Sequence, residues 1–413
     1  MMDSLWKLSP LRPVRLLADV LRKGRAISRE HGVSLARMLW EQARLARECG
    51  LGRKEYFSYE LWRPDLSWDD KRSYVSVAWA EGLWYHLSPQ AYSCLLQNKL
   101  LSKQLFAAAR LPHAKLIGIY DPEWGYASDG LPLRCPEDVR RWLADVCPDA
   151  FVVKPIEGQR GHGIHLFERV NDASGDEGRY TSPETGPVDG DSVASVLTAQ
   201  GAFHKTTYLD GSPFSQARLI EERLLTHSDL RPLSPHACGH VRLVTLLTKS
   251  GDVELFAGPF HVQTRRQSSA NYGGCVGVGF EVATGELGLG RVSTSDSPLN
   301  LRADPVTGAE FYGVRIPWWE ETKELARRAQ RAFPFTRALG WDIAVTDDGP
   351  VLIEGNIRWS MQFVQVSAGR GLLRGAMLDQ CADIPHKKLR RLARSLKANQ
   401  SVAHDCARAP FTR

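Results

Sequence analysis

The chain has 413 residues, of which 43% are hydrophobic and 24% charged, and a net charge of +6. These are the values of an ordinary soluble globular protein, large enough to bury a sizeable core in two or three domains. No run approaches the ~20 apolar residues of a membrane span, and the N-terminus lacks the apolar core of a signal peptide.

The eight cysteines are dispersed without a Cys-x-x-Cys pair, which predicts reduced thiols and a cytoplasmic location. Residues 1–60 hold 12 Lys/Arg against 7 Asp/Glu, and residues 386–413 hold 8 against 1, leaving the stretch between them at −6. The positive excess is therefore terminal. No run of basic and aromatic residues and no known module speaks for nucleic acid as a partner.

Residues 1–70 read as a helical N-terminal region. Leu17, Val20 and Leu21 among Arg15, Arg22, Lys23 and Arg25 predict a basic amphipathic helix, and Leu35, Met38, Leu39, Ala43 and Leu45 predict a second from Ser34 to Cys49, closed by Gly50. Tyr56 to Trp84 is rich in Trp and Tyr, the composition of a core or domain contact and also of a platform for a sugar. A helix from Asn98 to Arg110 ends before Leu111-Pro112 and carries Lys99 at its start. The segment 71–150 precedes a short buried-type strand, Phe151 to Pro155, which ends in Lys154.

That strand runs into Glu157, Gly158, Gln159, Arg160, Gly161, His162, Gly163 and Ile164. Glycines at 158, 161 and 163 let backbone N–H groups approach an anion, and Lys154, Arg160 and His162 add positive charge. Such a turn is a phosphate cradle or a plain loop, and it matches neither the GxxxxGK[ST] loop nor GxGxxG. Residues 168–217 look like an insertion, with loop-like stretches at 171–178 and 182–191 and a short helix from Ser192 to Thr198. Arg218 to Leu225 is an apolar strand broken by Glu221 and Glu222, closing a segment 151–225.

In the segment 226–385, His240 and Arg242 alternate onto one strand face with Val244 and Leu246. Arg242 and Arg358 are planar, permanently charged forks suited to a phosphate or a carboxylate, and each also reads as an ordinary ion-pair partner. His236, Cys238 and His240 lack a fourth ligand for zinc. Near the end, Ile343 to Val345 and Val351 to Ile353 flank Asp347-Asp348-Gly349, which predicts a hairpin with a three-residue loop. In that register Asp342 faces Glu354, and Asn356 shares the face. Two carboxylates and an amide oxygen then suit Mg²⁺, unless the hairpin end is merely polar. Leu389, Leu392, Ala393 and Leu396 among cationic neighbours predict a final basic helix in a tail of residues 386–413. The two basic helices either lie on an anionic membrane or a lipid-linked substrate, or pack their apolar faces on the protein.

The order Asn98-Lys99, Lys154-Pro155, glycine loop, Ile220-Glu221-Glu222, Arg242 to Thr245, Asp342 and Glu354-Gly355-Asn356 resembles the ATP-grasp superfamily. His227 to Pro235 and Val241 to Thr245 resemble its sugar-transfer-associated, alpha-L-glutamate ligase-like family. The resemblance implies an α/β (α+β) fold with a small lid subdomain and a larger mixed-sheet, metal-binding subdomain. It departs from many relatives in lacking a legible βαβ unit at the start.

By position, the resemblance assigns Lys99 and Lys154 to the phosphates of ATP and the loop 157–164 to a cover over them. It assigns Glu221 to the adenine amino group, the backbone of Glu222, Arg223 and Leu224 to the ring edge, and Asp229 to the ribose, with His227 competing for that place. Asp342, Glu354 and Asn356 would hold one or two Mg²⁺ ions. Asn271, Gly273 and Gly274 resemble a substrate element of the narrower family, although Ala270 stands where an acidic residue is expected, and a turn into the strand Cys275 to Val282 reads as well. The implied reaction is ATP-dependent joining of a carboxylate to an amine or another nucleophile through an acyl phosphate, in surface-polysaccharide synthesis. The alternatives are a phosphotransferase and a nucleotide-binding regulator without turnover.

Overall fold

A computed structural model describes residues 12–158, 161–170, 179–199, 216–263, 268, 276–292, 299–305 and 307–408. The chain divides into two compact units, one of residues 1–86, 293–299 and 360–413, the other of residues 87–292 and 300–359.

The first unit is helical where it is described. The helix Leu35–Cys49 ends at Gly50, whose φ of 68° is the left-handed value that favours glycine. Met38, Leu45 and Cys49 on its inner face are buried. The final helix, Lys387–Arg408, buries Leu389, Leu392, Ala393 and Leu396 and leaves Lys387, Lys388 and Arg391 exposed. Its apolar stripe is thus spent inside the protein. Residues 360–385, read from the sequence as part of the metal-binding subdomain, belong with this helical unit. Among the described residues no helix is long and apolar enough to cross a membrane.

The second unit holds two seven-stranded sheets. The first comprises β1 (Leu116–Tyr120), β2 (Tyr126–Ala127), β3 (Ala150–Pro155), β4 (His165–Arg169), β5 (Tyr180–Ser182), β6 (Gly186–Val188) and β7 (Arg218–Glu222), in the order β2-β1-β7-β3-β4-β5-β6. What the sequence divided between segments 71–150 and 151–225 therefore shares one sheet. Phe151 and Val153 face a core with Trp142 of the helix Pro136–Val146. By strand alternation Val152 and Lys154 face the other way.

The presumed insertion is part of the same core. Residues 182–191, expected as loop, instead form the β5–β6 hairpin turn and the start of a helix Gly190–Thr198, capped by Asp189 accepting from Ser192 N. Tyr180, Val193, Ala194 and Leu197 are buried against the sheet, so this stretch contributes structure and is more than a surface loop.

The second sheet comprises β8 (His240–Leu247), β9 (Val253–Val262), β10 (Val276–Phe280), β11 (Leu287–Val292), β12 (Leu299–Leu301), β13 (Ala338–Thr346) and β14 (Gly349–Asn356), in the order β12-β11-β10-β9-β8-β13-β14. Expected to be mixed, it runs antiparallel through β11, β10, β9, β8, β13 and β14. Hairpins such as β8–β9 and β13–β14 need no crossover helix, and this gives the antiparallel sense. One face packs on the helix Trp319–Ala332 through Leu325, Ala326 and Ala329.

The hairpin of β13 and β14 turns on two residues, Asp347 and Asp348, with Thr346 opposite Gly349. A bulge between Asp342 and Ile343 then restores the lost step, so Asp342 still pairs with Glu354. The expected facing pair is present, reached by a shorter turn and a bulge in place of a three-residue loop.

Candidate active site

Lys99 begins the helix Lys99–Ala108, whose first turn is fixed by Asn98 accepting from Leu100 N and Leu101 N at 3.1 Å each. One turn on, Lys103 points to the same side. Lys154 stands at the end of β3, diagonal to Glu221 of β7 because Val152 pairs with Glu221. Lys154 Nζ lies 2.6 Å from Glu221 Oε2, and Lys103 Nζ lies 3.1 Å from Oε1 and donates to Ala114 O at 2.8 Å. All three charged groups are buried.

Burial penalises the Glu221 carboxylate, but Lys154 and Lys103 more than offset this and lower its pKa. The side chain assigned by resemblance to an adenine amino group is therefore already engaged by two ammonium groups. Burial also lowers Lys99, against the pull of Glu354, and pushes Lys103 down to about 8 against the pull of Glu221.

The glycine loop lies beside these lysines. Gly161 and Gly163 adopt φ of 73° and 70°, and Gly158 O accepts from Lys99 Nζ at 3.1 Å. A cleft of about 240 Å³ is lined here by Lys99, Lys154, Gly158, Gly161 and His162. Glu157 lies behind it, accepting from Asn98 Nδ2 at 3.3 Å. Arg160, Asn271, Gly273 and Gly274 lie outside the described residues.

Beyond Glu221 the cleft follows the backbone of Glu222, Arg223 and Leu224. The Glu222 carboxylate accepts from Lys115 N at 2.8 Å, and Arg223 pairs with Glu168 at 2.7 Å. Both side chains are thereby held by protein groups. Asp229 is exposed and does not line the cleft. His227 N instead bonds Val345 O at 2.7 Å, and Ser228 N bonds Asp347 Oδ1 at 2.8 Å, turning this loop back onto the second sheet. The chain returns to the cleft only at Arg231 and at Ser234 to Cys238, residues the sequence did not single out for this role.

On the second sheet Arg242, Asp342 and Glu354 occupy paired positions of β8, β13 and β14. Arg242 grips both Asp342 oxygens, Nε to Oδ1 at 2.7 Å and a terminal nitrogen to Oδ2 at 2.6 Å. Burial alone would raise Asp342, but Arg242, with His240, holds it well below the usual carboxylate range. Gly258 permits this packing: a Cβ there would stand 2.4 Å from Arg242 O. His240 and His261 stack with centroids 4.5 Å apart, and His240 Nε2 lies 3.8 Å from Asp342 Oδ2. His261 escaped the sequence reading, because only the β8–β9 register reveals it as His240's neighbour.

Asn356 Nδ2 lies 3.4 Å from Asp342 Oδ2 and 3.4 Å from Glu354 Oε1. The amide nitrogen donates here; with the amide turned to present its oxygen, Asn356 would join the two carboxylates as a set of hard ligands for a small divalent cation. Among the described residues no group of three or more His, Cys, Asp and Glu is placed to hold a metal. Arg358 is exposed and does not line the cleft. Lys99 Nζ, on the helix Lys99–Ala108, lies 3.9 Å from Glu354 Oε2 of the second sheet.

A family model described as sugar-transfer associated ATP-grasp matches residues 81–379. The chain belongs to this family. It thus has the ATP-grasp fold, with the two-sheet architecture and the cleft described above. Among solved structures it is similar to biotin carboxylase from Campylobacter jejuni, at 14% identity over 70% of this chain and 50% of that one, with a TM-score of 0.36. It is similar to D-alanyl-alanine synthetase A from Vibrio cholerae, at 12% identity over 73% and 65%, with a TM-score of 0.36. It is also similar to D-cycloserine synthetase DcsG, at 14% identity over 81% and 87%, with a TM-score of 0.37. The chain spans about half the length of the carboxylase and 65% of that of the V. cholerae synthetase. No curated protein matches the chain.

Proposed function

We propose that this ATP-grasp protein is an ATP-dependent ligase that joins a carboxylate to an amine through an acyl phosphate, releasing ADP and phosphate. The observation that carries this reading is the cleft itself. Buried Lys99 and Lys154 line it beside a glycine loop, and Glu354 lines it from the opposite sheet with Asp342 and Asn356 next to it.

In this reading the substrate carboxylate attacks the γ-phosphorus of ATP and the bond to the bridging oxygen breaks toward ADP. The amine then attacks the acyl carbon, phosphate departs with the bonding pair, and the ammonium proton is released. Lys99 and Lys154 neutralise the polyphosphate, and backbone groups from Glu222 to Leu224 receive the adenine edge. Arg242 fixes Asp342 through both its oxygens and so positions it beside Glu354. Mg²⁺ held by Asp342, Glu354 and Asn356 would supply charge neutralisation between neighbouring phosphates. The family's association with sugar transfer supports an amino acid or amino-sugar intermediate of a surface polysaccharide as one substrate. The requirement for ATP favours the cytoplasm.

Incubating the protein with Mg²⁺ and ATP over panels of carboxylates and amines, with ADP, phosphate and product mass followed together, tests this. Free phosphate and a product lighter than the summed substrates by one water are expected. A phosphorylated final product would make the protein a kinase, and release of AMP would defeat the acyl-phosphate route.

A further inference from the structure

The third buried lysine has no place in the reading above. Lys103 is 4% exposed, lies one helical turn after Lys99, and does not line the cleft. It cannot touch a nucleotide there. Its Nζ is spent on Ala114 O at 2.8 Å and Glu221 Oε1 at 3.1 Å. Glu221 Oε2 in turn lies 2.6 Å from Lys154 Nζ, and Lys154 does line the cleft. The three groups form a chain, Lys103–Glu221–Lys154, running from the interior to the cleft.

Burying an ammonium group is expensive unless it is paired, and a paired one often adds nothing to stability over apolar side chains of like volume. The position of Lys103 points to another use. With one lysine on each oxygen, Glu221 divides its attraction. Without Lys103 its whole charge would bear on Lys154 at contact distance, in a low-dielectric site where such attraction is strong. A polyphosphate would then have to compete with Glu221 for the Lys154 ammonium.

We propose that Lys103 is a positioning residue for nucleotide binding, which compensates Glu221 and so leaves Lys154 available to a polyphosphate. This rests on the nucleotide reading of the cleft. The readout is the ratio of ADP affinity to adenosine affinity, measured by calorimetry on the full chain. Adenosine lacks phosphates, so the ratio reports the phosphate contacts, that of Lys154 among them, apart from those to the base and sugar.

Lys103→Met is expected to lower the ratio about tenfold, equivalent to about 1.4 kcal/mol. In Lys103→Met/Glu221→Gln, where the charge that captures Lys154 is gone, the ratio should return to within about threefold of wild type, a coupling expected of residues in one network. A merely structural lysine would lower the melting temperature and weaken both ligands alike. An unchanged ratio in Lys103→Met, an equal loss for both ligands, or a double variant no better than the single one overturns the proposal. If Lys103→Met does not fold, Glu221→Gln decides. The proposal then requires a ratio at or above wild type, and a tenfold fall defeats it. Lys154→Ala separates the two layers of inference. If it leaves ADP affinity intact, the nucleotide reading itself fails, and the Lys103 proposal with it.

Discussion

On the first sheet a buried anion lies between two cations, whereas on the second a half-buried arginine grips one of two neighbouring anions. Glu221 is held by Lys154 and Lys103, with Lys99 nearby, so that side of the cleft carries more positive than negative charge, and Lys99 meets Glu354 of the other side at 3.9 Å. Arg242 is committed to Asp342, and Glu354 beside it leaves the other side a surplus of negative charge. On the proposed function the first arrangement suits phosphates and the second a divalent cation, so that a metal–nucleotide complex would meet complementary charge on both sides. The helical unit supplies a control. Lys71 and Glu41 form a buried pair there at 2.8 Å with Tyr56 donating to the same carboxylate, and no cleft residue joins them. Buried charge alone does not mark a site, but unbalanced buried charge lining a cleft does.

Removing Arg242 should disturb this arrangement most. Arg242→Met leaves Asp342 buried without its partner and is expected to cost about 3–5 kcal/mol of stability near neutral pH, measurable by urea unfolding. The sign with pH follows from linkage. In the native protein the Asp342 pKa is depressed, so its contribution is present above the unfolded value and is lost as pH falls through the folded value. In the variant, burial without the arginine raises the same group, which then protonates early. The gap between wild type and variant should therefore narrow between about pH 7 and pH 4. A gap that widens on acidification would contradict the assigned pairing.

Glu354→Gln removes the negative surplus without disturbing the Arg242–Asp342 fork. Turnover should fall about 10²–10³-fold, while ADP binding without divalent cation stays near that of wild type. Loss of cation-free ADP binding would instead place Glu354 among the groups that hold the nucleotide directly. Lys154→Ala attacks the positive surplus and should lower kcat/KM for ATP by about tenfold to 100-fold. Intact turnover in both variants would mean that the chemistry happens elsewhere.

The parts of this arrangement legible in the sequence are those set by local rules. Asn98 caps the helix that starts with Lys99, alternation along β3 sends Lys154 opposite to Phe151 and Val153, and Asp342 faces Glu354. Even there the route was misread, since a two-residue turn and a bulge give the same pairing as the expected loop. What stayed hidden depends on partners distant in the chain. Lys103 gains its meaning from Glu221, more than a hundred residues on, and Arg242 from Asp342. His261 is defined by the strand beside it. The joining of residues 360–413 to the N-terminal helices depends on which apolar faces meet, and helical spacing does not encode that.

The smallest expected effect concerns the loop between the two sheets, where resemblance and structure part. The resemblance put Asp229 at the ribose, with His227 competing for that place, but His227 N bonds Val345 O and Ser228 N bonds Asp347, fixing the loop with the Asp229 side chain toward solvent. Ser234 to Cys238 take the place beside the cleft. Asp229→Ala should therefore change ATP affinity by less than about twofold, as surface substitutions away from a site do. Asp347→Ala is the sharper comparison. Its carboxylate accepts from Ser228 N at 2.8 Å and pairs with Arg231 at 3.2 Å, so losing it frees the loop that carries Arg231 to the cleft. ATP affinity should weaken more in Asp347→Ala than in Asp229→Ala, although neither residue lines the cleft. The reverse order would return Asp229 to the nucleotide and show that this loop rearranges when the cleft fills.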